Sequence, residues 1–138
     1  MIFVRERGEA TVVPYKKDGD VAIAAGDPVV LASGLLVKAD ENATPATLVG
    51  VMMEDVVSTD DDYSDETFKN VDVGKLNDEY RAEVGTGTAT AAMVGGRYDL
   101  DSDGKVDVSA QATQVVEIVR FISASEVVVK FVTETKEA

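Results

Sequence analysis

The stretch 114-QVVEIVRFISASEVVVKFV-132 decides the fold class. Val and Ile dominate it, no Pro interrupts it, and Ser123-Ala124-Ser125 sits at its middle. β-Branched side chains pack well on a pleated surface. Two apolar runs joined by three small residues read as a β-hairpin, 114–122 against 126–132. In the second run Val127, Val129 and Phe131 share one face. Val128, Lys130 and Val132 share the other, as a period of two requires.

The same pattern recurs outward from this hairpin. The 138 residues include 24 Val and 11 Thr but only 6 Leu, a composition that favours strands. Tyr80, Ala82 and Val84 alternate with Arg81 and Glu83 as a half-buried strand. The stretch 88–94, with three Ala, reads as a weak strand or a short helix. Val106 and Val108 follow an acidic turn as another short strand. Nearer the N-terminus, strands are expected over 21–25, 29–31, 35–38 and 48–53. The turns Lys17-Asp18-Gly19-Asp20, Ala25-Gly26-Asp27-Pro28 and Ser33-Gly34 separate them. Gly50 marks a bulge or a close backbone approach. Short strands this dense, punctuated by Gly and Pro, indicate an all-β fold, a small β-barrel or sandwich.

Two segments depart from that pattern. Residues 2–17 carry Arg5, Arg7, Lys16 and Lys17 against Glu6 and Glu9, a positive balance in an otherwise acidic chain. Two readings stand. One is a solvated first strand. The other is an N-terminal arm over 1–18 that adds a strand to an acidic partner. On the second reading the chain divides into that arm and a β-rich domain over 19–138. Residues 54–83 carry 11 acidic and three basic residues. Within them, 58–79 is expected to be an acidic loop insertion on the surface, a partner surface or a mobile excursion. The end, Thr133 to Ala138, is expected to fray.

Composition narrows the function. There is no Cys, His or Trp, which excludes disulfides, thiol chemistry, imidazole acid–base catalysis and zinc sites built on thiolate or imidazole. A net charge of -13 argues against non-specific attachment to nucleic acid or an anionic membrane. The opening MIFVRERGEA has no apolar core long enough for a signal peptide, so a soluble protein made in the cytosol is expected. Ser33, Ser58 and Ser102 have no imidazole to activate them and no Ser-x-x-Lys occurs. Asp60 to Glu66 form a solvated acidic run with nothing apolar to raise a pKa. The expectation is a protein that binds rather than catalyses.

The strongest local motif is Asp99-Leu100-Asp101-Ser102-Asp103-Gly104-Lys105-Val106-Asp107. Carboxylates at alternating positions can converge on a hard cation such as calcium, and Gly104 permits the sharp turn. Asp107 sits where an EF-hand loop reaches its ion through a water. Ala110 occupies the place of that loop's bidentate Glu. A calcium site formed by Asp99, Asp101, Asp103 and Asp107 is one reading. The other is a polar turn whose Asp side chains cap their own backbone.

The stretches Gly26-Asp27-Pro28-Val29-Val30-Leu31, Gly34-Leu35-Leu36-Val37 and Leu48-Val49-Gly50-Val51, with Val94 to Leu100, Val106 to Val108 and the closing hairpin, resemble the capsid decoration (cement) proteins of tailed bacteriophages. The similarity spans about 1–57 and 80–133, and 58–79 has no counterpart. The resemblance implies a β-tulip-like body and a homotrimer on the outer capsid surface of the virion, made in the host cytoplasm. It implies binding to the major capsid protein, clamping neighbouring subunits, with no cofactor and no catalytic residue. It places capsid binding on Ile2, Phe3, Val4, Arg5 and Arg7. Two alternatives stand beside it: a calcium-dependent β-module of a surface or adhesion assembly, and a phage tail or baseplate component.

Overall fold

The computed structural model describes residues 1–75 and 78–132. Among them are eleven strands and one 3-10 turn, Ala91–Met93, in the stretch that reads as weak strand or short helix. The expected frayed end, 133–138, lies outside the described residues, as do Leu76 and Asn77 of the acidic segment.

The deciding hairpin is formed by β10 (Val116–Ser123) and β11 (Glu126–Phe131), with Val116 opposite Phe131 and Ser123 opposite Glu126. Val127 and Val129 are fully buried. Val128, on the opposite face, is buried too, flanked in the ladder by Arg81 and Arg120. Long cationic side chains shield apolar neighbours with their stems while their charges stay in water.

β11 pairs with β7 (Glu79–Thr86), and β10 with β8 (Arg97–Leu100), which pairs in turn with β9 (Val106–Asp107). β9 then returns to lie parallel to β7 at Val84 and Thr86. These five strands therefore close into a barrel. β1 (Phe3–Arg7) is an extra strand, paired with the first half of β7 over Glu79 to Ala82.

The second sheet runs β2 (Val12–Lys16), β6 (Phe68–Val73), β5 (Leu48–Met52), β3 (Pro28–Ala32) and β4 (Leu35–Lys38), all antiparallel neighbours. It curls until its edges meet. Lys17 and Leu36 form a parallel bridge, and the Asp18 N–H donates to the Leu36 carbonyl at 3.0 Å. Val29, Leu36, Val49, Met52 and Val71 fill the interior. Ile23 and Val56, bridged to each other, stop one end together with Tyr63. Of the strand expected over 21–25, only that bridge forms.

The outward side of the second sheet lends Leu48 and Val51 to the core of the first barrel. Phe3, Tyr80 and Phe131 form an aromatic triad there, with ring centroids 5.0 to 6.4 Å apart. The bulge in β5 lies between its Gly50 and Leu48 pairings with β3. A side chain at Gly50 would collide with the Asp72 carbonyl of β6. Bulge and close approach therefore coincide at this glycine.

Two expectations are corrected. The segment 1–18 is not a free arm. It supplies one strand to each sheet, and Ile2 and Phe3 lie in the core at 9% and 1% exposure. The apolar Ile2-Phe3 pair finds more buried area against Tyr80 and Phe131 than it would in solvent. Nor is 58–79 a loop insertion throughout. It contains β6, an interior strand between β2 and β5, with Val71 fully buried. Hydrogen bonding to strands on both sides offsets the low β propensity of Asp and Asn.

Candidate functional site

Arg5 is the centre of a charge cluster at the junction of the two sheets. Its guanidinium makes a bidentate pair with Asp72, Nε to Oδ2 at 2.9 Å and Nη2 to Oδ1 at 2.6 Å. It also pairs with Asp78 at 3.1 Å and donates to the Tyr80 hydroxyl at 2.9 Å. Tyr80 in turn donates to Asp72 Oδ2 at 3.3 Å. Strand alternation explains the convergence: Arg5 lies opposite Tyr80 in the β1–β7 ladder, on the core-facing side. Asp72 lies opposite the buried Val51, on the face of β6 turned toward that core.

Burial works against the Arg5 charge, but hydrogen bonds to Asp72 and Asp78 outweigh it and raise the pKa. Burial, reinforced by the Asp72 charge, pushes the Tyr80 phenol well above its ordinary range, so it stays a neutral donor. A planar fork on two carboxylates is a strong, directional fastening. Chemically the cluster ties the β1 and β6 sheets together.

Beside it lies a groove of about 220 Å³, lined among others by Met1, Phe3, Val4, Arg5, Met53 and Asp72. Its rim is apolar and open to solvent: Met1 is 76% exposed and Met53 43%. The exposed Phe68 continues this flank, on the same face of β6 as Asn70 and Asp72, with Lys16 stacked at 5.6 Å from its ring centroid. Val12, opposite Asp72, is exposed as well. Among the described residues β1 pairs as a strand only with β7; on its outer edge the Phe3 N–H donates to the Gly26 carbonyl at 2.9 Å, and the edge beyond that bond borders this groove. Of the residues named from sequence, Val4 and Arg5 border this groove, and Phe3 touches it only from the core, at 1% exposure. Ile2 is in the core, and Arg7 is exposed beyond the groove, 3.8 Å from Glu79.

The acidic turn is held by its own backbone. Asp99 accepts hydrogen bonds from the N–H groups of Ala112, Thr113 and Gln114 at 2.8 to 3.0 Å. Asp101 accepts from the N–H groups of Asp103 and Lys105 and from the Thr86 hydroxyl. Asp107 accepts from the Ser109 N–H and hydroxyl, and Asp103 is exposed. Among the described residues no three acidic side chains are grouped to hold a metal ion.

Sequence reasoning missed Asp72, Asp78 and Tyr80 as partners of Arg5. It also missed Lys17, a fully buried lysine whose ammonium donates to the Tyr63 and Asp65 carbonyls. The available signal was Asp72 between Val71 and Val73, a charge inside an apolar alternation. No protein-family model matches the chain, and no curated protein matches its sequence.

Proposed function

We propose that the protein is a structural virion component of the capsid decoration type, which binds major capsid subunits on the outer surface of a tailed-phage head and stabilises the shell without turnover. The observation that supports it most is the exposed pair Met1 and Met53 on the rim of the groove beside β1, with the exposed Phe68 farther along the face of β6 that carries Asp72. Exposed large apolar side chains gathered along a groove mark interaction surfaces. An open strand edge takes up an extended partner segment through backbone hydrogen bonds. On this reading attachment uses β1 in place, along the part of its edge beyond the Phe3–Gly26 hydrogen bond, rather than as an arm reaching outward. Self-association as a trimer belongs to the same reading and rests on the resemblance.

Co-sedimentation with empty capsids of the cognate phage tests this. The double variant Met53→Glu/Phe68→Glu places two charges on the flank without touching the core. It is expected to keep the native circular dichroism spectrum and to lose roughly tenfold or more in capsid affinity. Undiminished binding by that variant removes the flank from the attachment surface. Absence of binding by the wild type removes the decoration reading.

A further inference from the structure

We infer that the open end of the second barrel is a binding site for a small, uncharged, largely apolar molecule. The inference is independent of the attachment reading and uses a different face. Strand directions define the place. The end of the barrel where β3 and β6 finish and β2, β4 and β5 begin lies opposite the end stopped by Ile23, Val56 and Tyr63. At that open end is a cavity of about 430 Å³, lined chiefly by Tyr15, Leu31, Ala46, Thr47, Val49 and Val73. Small-molecule sites typically occupy about 300 to 1,000 Å³, with barrel mouths among their preferred places.

The lining specifies the ligand class. The chain is 28% charged, yet no Asp, Glu, Lys or Arg lines this cavity. A charged ligand would lose hydration there and gain no counter-charge. Leu31, Val49 and Val73 offer apolar walls continuous with the barrel core. The Thr47 hydroxyl is already engaged with Thr44. The Tyr15 hydroxyl makes no hydrogen bond among the described residues, which leaves it free for a single polar group on the ligand. The fit is a molecule with an apolar body and at most one hydroxyl or carbonyl, such as a short alcohol.

The test uses the full chain and the neutral dye N-phenyl-1-naphthylamine, whose fluorescence rises in apolar sites. Saturable binding of one dye per chain is expected, displaced by 1-hexanol and roughly tenfold or more less well by hexanoate. Ala46→Trp, at the exposed rim, is expected to abolish the signal, and Met53→Trp, at the separate groove, to leave it unchanged. Because a rim variant can perturb folding, methyl NMR of the wild type supplies a second reading. Hexanol is expected to shift the Leu31, Val49 and Val73 methyl signals and to leave those of Val127 and Val129 in place. Equal displacement by hexanoate, dye binding that survives Ala46→Trp in a folded protein, loss of binding in Met53→Trp, or methyl shifts elsewhere would each overturn the assignment.

Discussion

Arg5 links residues that lie far apart in the chain. Its partner Asp72 is 67 positions away, and both side chains are largely out of water. Removing one member of such a pair leaves an uncompensated charge, at a cost of about 3 kcal/mol or more. Because Asp78 stays on the guanidinium, Asp72→Ala is expected to cost less than that, about 2 kcal/mol for the lost charge-assisted hydrogen bonds, seen as a lower urea midpoint. Tyr80 gives the same cluster a pH signature. Its folded-state pKa is raised, so the native state holds the proton more tightly than the unfolded chain. Its contribution is complete below the ordinary tyrosine value near 10 and is lost as pH rises through the folded value. Stability of the wild type should decline above about pH 10 more steeply than that of Tyr80→Phe, compared by urea melts at successive pH values.

At the scale of elements, β1 is the sharpest case. Its pairing with β7 and the burial of Phe3 against Tyr80 and Phe131 make it part of the first core. Fully burying Phe3 contributes about 2 to 3 kcal/mol by itself. Deleting residues 1–8 should thus broaden or abolish the cooperative thermal transition rather than release an intact body. A truncated chain that melts like the wild type would return the segment to the status of an arm. This element also shows how far local sequence can be read. The hairpin β10–β11 was legible because its alternation and its turn are contiguous in the chain. The strand β7 was legible for the same reason. β6 was not, because Phe68-Lys69-Asn70-Val71-Asp72-Val73 follows an acidic run, and its order comes from β2 and β5 on either side. The positive balance of 2–17 pointed to a partner outside the chain. The carboxylates that Arg5 meets are instead Asp72 and Asp78, and no local pattern reveals that choice. Of the candidate site, the types of residue in the acidic turn were visible. What they bind is set by the fold, which brings the amides of 112–114 under Asp99.

At the scale of the molecule, charge is unevenly shared. Residues 9–75, which include the whole second sheet, carry 14 acidic and five basic residues. The first sheet is more balanced, through cross-strand ion pairs. Arg81 lies between Glu6 and Glu126, Glu79 between Arg7 and Arg120, and Glu117 between Arg97 and Lys130, at 3.2 to 3.8 Å. Exposed pairs of this kind contribute about 0 to 1 kcal/mol each and weaken with salt. Self-repulsion across the acidic barrel weakens with salt as well, and at -13 it is the larger effect. Raising NaCl from about 10 to about 150 mM, which shortens the screening length to about 8 Å, should therefore raise the melting temperature, by about 4 °C for each kcal/mol of relief. The same repulsion would let any cation stabilise the protein, so calcium must be compared with magnesium at equal concentration. With Asp99, Asp101 and Asp107 already occupied by amides and hydroxyls, the two ions should raise the melting temperature equally. Asp101→Ala, which strips three hydrogen bonds from the turn, should lower it by the same amount in either salt, corresponding to about 2 kcal/mol. A gain specific to calcium that disappears in Asp101→Ala would instead establish the turn as a calcium site, with the carboxylates released from their amides to form it.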